Sequence, residues 1–308
     1  MDEQEKNQIL KPRSAAACIR EGFKLIANHP VTLLTATWPC ILLTAVATLL
    51  YFNSTTSLMR NIVSEDLTGS WSLISVSLSM LLLIVTSYFL IARVILVLKY
   101  LRDNGTLARI KAFKQWRPTI GIAFNMLPFV LIEILVSALF TGAGALAVRW
   151  AMAQQNITLR LTVFALLLFV GLLLLIALLP LIQTFYAYTM DGGHFLQTLR
   201  TTYRKGLRHI GKLFATNVLA IVLISVLISL VILPLEVLTM ANTQSFMGVV
   251  VLGDESGMPG YMGWLLGVTI VVCTSLAIYC YLAFFTSNLY VYGSIESIEA
   301  GRNKYTIQ

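Results

Sequence analysis

The amino-acid sequence predicts an all-α integral membrane protein with six transmembrane helices. Three observations carry that prediction: an apolar composition, six long apolar runs, and basic residues confined to alternate connections. Hydrophobic residues make up 57% of the 308 and charged residues 12%, too little polar surface to coat a soluble globule of this size. The runs cover residues 31–52, 71–101, 119–150, 159–189, 211–240 and 261–292. Each reaches or exceeds the roughly 20 residues that cross a hydrocarbon core of about 30 Å. The longer ones imply tilted spans, or ends that project into the headgroups. The chain opens with a largely polar segment from Met1, so the first run reads as a retained span and not as a signal peptide.

Lys and Arg near span ends are held on the cytoplasmic side during insertion. Eighteen of the 22 basic residues fall in the N-terminal segment, the connections after the second and fourth runs, and the C-terminal segment. The opposite connections hold only Arg60, Arg149 and Arg160, and Arg93 is intramembrane. Both termini are therefore expected inside. The net charge of +8 is a topology signal on this reading, and no nucleic-acid partner is expected.

A repeat is legible. The pairs Phe23-Lys24, Phe113-Lys114 and Tyr203-Arg204 recur at a spacing of 90 residues, each inside a basic stretch that precedes an odd-numbered run. Apolar residues recur within these stretches at helical spacing, as in Ile19, Phe23 and Ile26, or Leu196, Leu199, Tyr203, Leu207 and Ile210. Three units follow, 14–103, 104–191 and 192–301, in a single membrane domain spanning 1–308. Each would be an amphipathic helix at the cytoplasmic headgroup layer followed by a transmembrane hairpin. Pro30 and Pro118 suit the first turn of the following span, and Gly211 marks the turn in the third unit. Asp103-Asn104-Gly105 and Asp191-Gly192-Gly193 supply breaks before the next helix. The last returning span is expected to end near Tyr292, ahead of Glu296 and Glu299.

The basic aromatic segment Arg20-Glu21-Gly22-Phe23-Lys24 and the six-span layout resemble bacterial polytopic membrane families of uncharacterised function. One of these is the membrane domain attached to glycerophosphodiester phosphodiesterases. The resemblance implies architecture and a bacterial cytoplasmic (inner) membrane location, with no active site to carry over. Asp103-Asn104-Gly105-Thr106-Leu107-Ala108-Arg109 looks like the start of the CDP-alcohol phosphotransferase signature. Asn104 interrupts it, and the next acidic residue is Glu133, so the aspartates that would hold metal are missing. His29, His194 and His209 have no metal-ligand spacing, and Cys18, Cys40, Cys273 and Cys280 form no CxxC. No catalytic residue, metal site or cofactor is expected.

The candidate site residues are instead polar groups within the spans, because an ionisable side chain in mid-bilayer costs roughly 3 kcal/mol or more and faces a cavity or a partner. They are Arg93, Glu133, Asn125, Gln183, Asn217 and Asn288, with Lys24, Lys114 and Arg204 as candidate headgroup contacts. At 1.5 Å per residue Glu133 lies about 21 Å past Thr119, and Arg93 about 12 Å from Leu101. That offset leaves two fates open for Arg93, pairing with Glu133 or snorkelling toward the headgroups. The leading function class is transport or lipid handling through a polar cavity around Glu133. The alternative is a non-catalytic scaffold that docks through its basic helices, and an intramembrane enzyme is a third. Membrane lipids and other membrane proteins are the expected partners.

Overall fold

The structure, a computed structural model, describes residues 9–63, 70–104, 116–154, 156–253 and 259–306. Among them the chain forms eight helices: α1 Ala15–Asn28, α2 Pro30–Val63, α3 Ser70–Asn104, α4 Trp116–Ala153, α5 Ile157–Asp191, α6 Phe195–Arg208, α7 Ile210–Leu252 and α8 Met262–Thr306. Six of these, α2 to α5 with α7 and α8, are long and apolar enough to cross a membrane. With 34 to 45 residues each, they measure about 50–67 Å at 1.5 Å per residue, well past a core of about 30 Å.

The helix ends follow local chemistry. Ser14 caps α1, its side chain accepting from the Ala17 N–H at 3.3 Å. A single residue, His29, separates α1 from α2, and Pro30 opens α2 where its missing N–H costs nothing. Asn156 caps α5 by accepting from the Thr158 and Leu159 amides. Gly192 and Gly193 follow α5 with φ of 73° and 104°, a path that side chains resist, and this pair turns the chain into α6.

The long helices pack as three hairpins, α2 with α3, α4 with α5, and α7 with α8. The short helices join them: α1 packs mainly on α8 and α6 on α5. Both contacts require glycine. A Cβ on Gly22 would lie 2.5 Å from Ser287 Oγ and 2.7 Å from its backbone N, and a Cβ on Gly206 would lie 2.9 Å from Pro180 Cβ. The core is concentrated at the end where α1 and α6 sit, the basic end. There α3 buries Ala92, Ile95 and Leu98, α5 buries Tyr186 and Met190, and α8 buries Leu289, Val291 and Ile295. Toward the other end Leu73, Leu81, Leu161, Leu168, Leu230 and Trp264 are all exposed, a continuous apolar surface suited to lipid.

Two differences from expectation stand out. The last returning helix does not end near Tyr292 but runs unbroken to Thr306. Glu296 and Glu299 sit comfortably in it because Lys205 and Arg208 of α6 pair with them and His209, its C-cap, lies within hydrogen-bond distance of Glu299. The apolar sides of the two short helices also meet different surroundings. Cys18, Ile19, Leu25 and Ile26 of α1 are buried, whereas Leu196 and Leu207 of α6 are exposed and its buried positions are Thr202 and Gly206. The expected second short helix, with Phe113 and Lys114, lies outside the described residues.

Candidate functional site

Proline interrupts four of the long helices, at Pro39, Pro128, Pro180 and Pro234. Its ring removes one backbone donor and pushes open the preceding turn, so nearby carbonyls seek other donors in a site without water. Arg93 reaches the turn before one of these prolines. Its Nε donates to the carbonyl of Ala36, three residues before Pro39, at 3.0 Å, and its Nη1 donates to Thr119 Oγ1 at 3.1 Å. Arg93 is 2% exposed and so links α3 to α2 and α4. Tyr203 of α6 repeats the device, its hydroxyl donating at 2.9 Å to Ala177 O, three residues before Pro180. Tyr88 OH donates to Ala123 O, which ties α3 to α4 away from any proline turn.

Of the two fates open to Arg93, pairing with Glu133 is not what the structure holds, and neither is snorkelling. The guanidinium stays buried on a carbonyl and a hydroxyl of its neighbours. Glu133 lies elsewhere, on an exposed face of α4, and forms no ion pair or hydrogen bond among the described residues. It lines a groove of about 640 Å³ between the second and third hairpins. The groove exists because those hairpins meet through α5 near the basic end and diverge beyond it. Its walls are open: Leu175 and Ile221 are 65% and 54% exposed. Its floor is closed by Tyr186 and Asn288, at 2% and 1%. Six of its fourteen lining residues are aromatic, and Glu133 and Asn288 are its principal polar groups. The polar cavity expected around Glu133 is thus corrected to an apolar, aromatic-walled groove that carries one carboxylate.

Asn288 donates to Asn217 Oδ1 at 3.2 Å and to Phe284 O at 3.0 Å, and Asn217 donates to Leu213 O at 2.8 Å, which ties α7 to α8. The Asn288 Oδ1 is left without a partner among the described residues although buried. Gln183 is drawn away from the groove and donates at 3.4 Å to Glu296. Asn125 borders a separate recess of about 500 Å³ between α3 and α4, beside Lys99 and Asp103. Lys24 and Arg204 are exposed on α1 and α6, and Lys114 lies outside the described residues.

At the basic end the three returning spans converge. Arg102 of α3 pairs with Asp191 of α5 and donates at 3.2 Å to Met190 O, while Tyr292 of α8 donates to the other Asp191 oxygen at 2.8 Å. Lys205 pairs with Glu296 at 2.9 Å, and Glu299 receives Arg208 at 3.5 Å and His209 at 3.0 Å. Sequence reasoning missed this junction. The available signal was the match between Tyr100-Leu101-Arg102-Asp103 and Tyr188-Thr189-Met190-Asp191 at two helix ends.

Among the described residues no group of three His, Cys, Asp or Glu side chains could hold a metal ion. The chain matches no family model, no curated protein and no solved structure.

Proposed function

We propose that the chain handles membrane amphiphiles, taking them from the bilayer into the groove between α4, α5, α7 and α8. The observation that carries this reading is the groove itself. Its volume suits a lipid-sized or drug-sized ligand, its open walls communicate sideways with hydrocarbon, and its floor offers polar groups. The closed, well-packed basic end blocks through-passage there, so loading occurs from the membrane side.

The reading includes a multi-pass location in the bacterial cytoplasmic membrane with both termini inside, supported by the basic residues at one end. It also includes three repeated units. In their favour, α1 and α6 each span 14 residues, and their C-caps, His29 and His209, are 180 residues apart, twice the spacing of the aromatic pairs. The likeness to the membrane domain of glycerophosphodiester phosphodiesterases enters as architecture alone.

Native mass spectrometry of the protein released from mild detergent tests the groove. Lipid adducts are expected, and Ile221→Trp, which fills the mouth from an exposed wall position, should remove them. Adducts that persist unchanged in the variant would refute the groove as the binding site.

A scaffold role has one observation of its own: Leu196, at 76% exposure, and Leu207 stand beside exposed Arg200 and Arg204 on α6. An Arg200→Ala, Arg204→Ala variant that loses a copurifying protein but keeps the lipid adducts would favour that reading.

A further inference from the structure

We infer that the groove selects lipophilic cations. The inference rests on the amphiphile reading above and names the ligand class. The groups available to a ligand are acceptors and aromatic faces. Glu133 presents a carboxylate with no partner among the described residues. Asn288 presents a buried Oδ1 with no partner among the described residues, and its amide nitrogen is already committed to Asn217 and Phe284. Lys, Arg and His are absent from the lining among the described residues, so a phosphate or carboxylate headgroup finds no counter-charge there.

The aromatics complete the site. Tyr281 stacks on Phe284 with ring centroids 5.5 Å apart and meets Phe285 edge-on at 5.5 Å, while Phe129 packs against Phe185 across the second hairpin at 5.4 Å. Ring faces attract an organic cation through their quadrupoles, most strongly where water is excluded. A carboxylate in the same apolar setting adds a charge interaction that bulk water would screen. Both favour positive charge spread over a hydrophobic body, and both disfavour an anion of the same shape. Glu133 stands near the middle of α4, about 25 Å from its Trp116 end, so a compact cation bound there sits at membrane depth and not among headgroups.

A pair of probes of equal shape and opposite charge separates this inference from the reading beneath it. Radiolabelled tetraphenylphosphonium and tetraphenylborate are bound to the full chain in detergent, with empty micelles subtracted. Saturable phosphonium binding is expected, abolished by Ile221→Trp, weakened at least tenfold by Glu133→Gln and retained by Glu133→Asp. The borate should show no component sensitive to Ile221→Trp. If both ions bind in an Ile221→Trp-sensitive manner with equal affinity, or if Glu133→Gln leaves phosphonium affinity unchanged, the cation selectivity is overturned while the amphiphile groove stands. If neither probe shows a component sensitive to Ile221→Trp, the cation inference falls. The lipid adducts then decide separately whether the groove binds amphiphiles at all.

Discussion

Replacing Arg93 with Leu removes the donors that serve Ala36 O and Thr119 Oγ1, both buried between α2, α3 and α4. Hydrogen bonds from a charged donor contribute about 1.5–3 kcal/mol each, and losing a partner from a buried group costs about 1–3 kcal/mol. Against this stands the cost of keeping a guanidinium out of water, which apolar packing relieves. The net expectation for Arg93→Leu is a loss of about 2–4 kcal/mol. At about 2–4 °C per kcal/mol that lowers the detergent melting temperature by roughly 5–15 °C. Thr119→Val should be coupled to it, the double variant losing at least about 1 kcal/mol less than the sum of the singles. Glu133→Leu should not be coupled, and its loss should add to that of Arg93→Leu within about 0.5 kcal/mol. Melting curves of the three single and two double variants, followed by fluorescence-detected size exclusion, read both cycles. A strong coupling of Arg93 to Glu133, or none to Thr119, would refute the placement of Arg93 between the Ala36 carbonyl and the Thr119 hydroxyl.

Further expectations follow from the packing. Gly22→Val and Gly206→Val each drive a side chain into Ser287 or Pro180 backbone and should destabilise by about 1–3 kcal/mol, while Gly211→Ala, with open space at its Cβ, should be silent; thermal melts compare the three. Burial pushes the Cys18 thiol up and covers it completely, so maleimide should label it slowly at neutral pH in the folded protein and promptly in denaturant; rapid labelling in the native state would show α1 undocked. In intact cells an impermeant thiol reagent should reach single cysteines placed near Thr68 or Gly253 and not those near Gly105 or His194. The reverse pattern would invert the proposed topology.

Much of this protein is local information and is therefore written along the chain. A segment that must satisfy its own backbone in hydrocarbon has to be helical, and it has to be apolar over a bilayer's width. Runs 31–52 and 159–189 therefore announce α2 and α5 without reference to anything else. Pro30, Asn156 and Gly192 set helix ends by chemistry confined to neighbouring residues. Other features depend on how the helices are rotated and tilted against one another, and a shift of one residue turns a side chain by about 100° around the axis. Arg93 and Glu133 look like natural partners in one dimension, yet α3 aims Arg93 at the Ala36 carbonyl of α2, in the turn before Pro39, while α4 turns Glu133 toward the gap beyond α5. Asp191 reads as a helix stop, and only the convergence of α3, α5 and α8 makes it the meeting point of Arg102 and Tyr292. The groove has no sequence signature, because it is space left where two hairpins diverge, and its aromatic lining comes from three helices, α4, α5 and α8, that only the tertiary structure brings together.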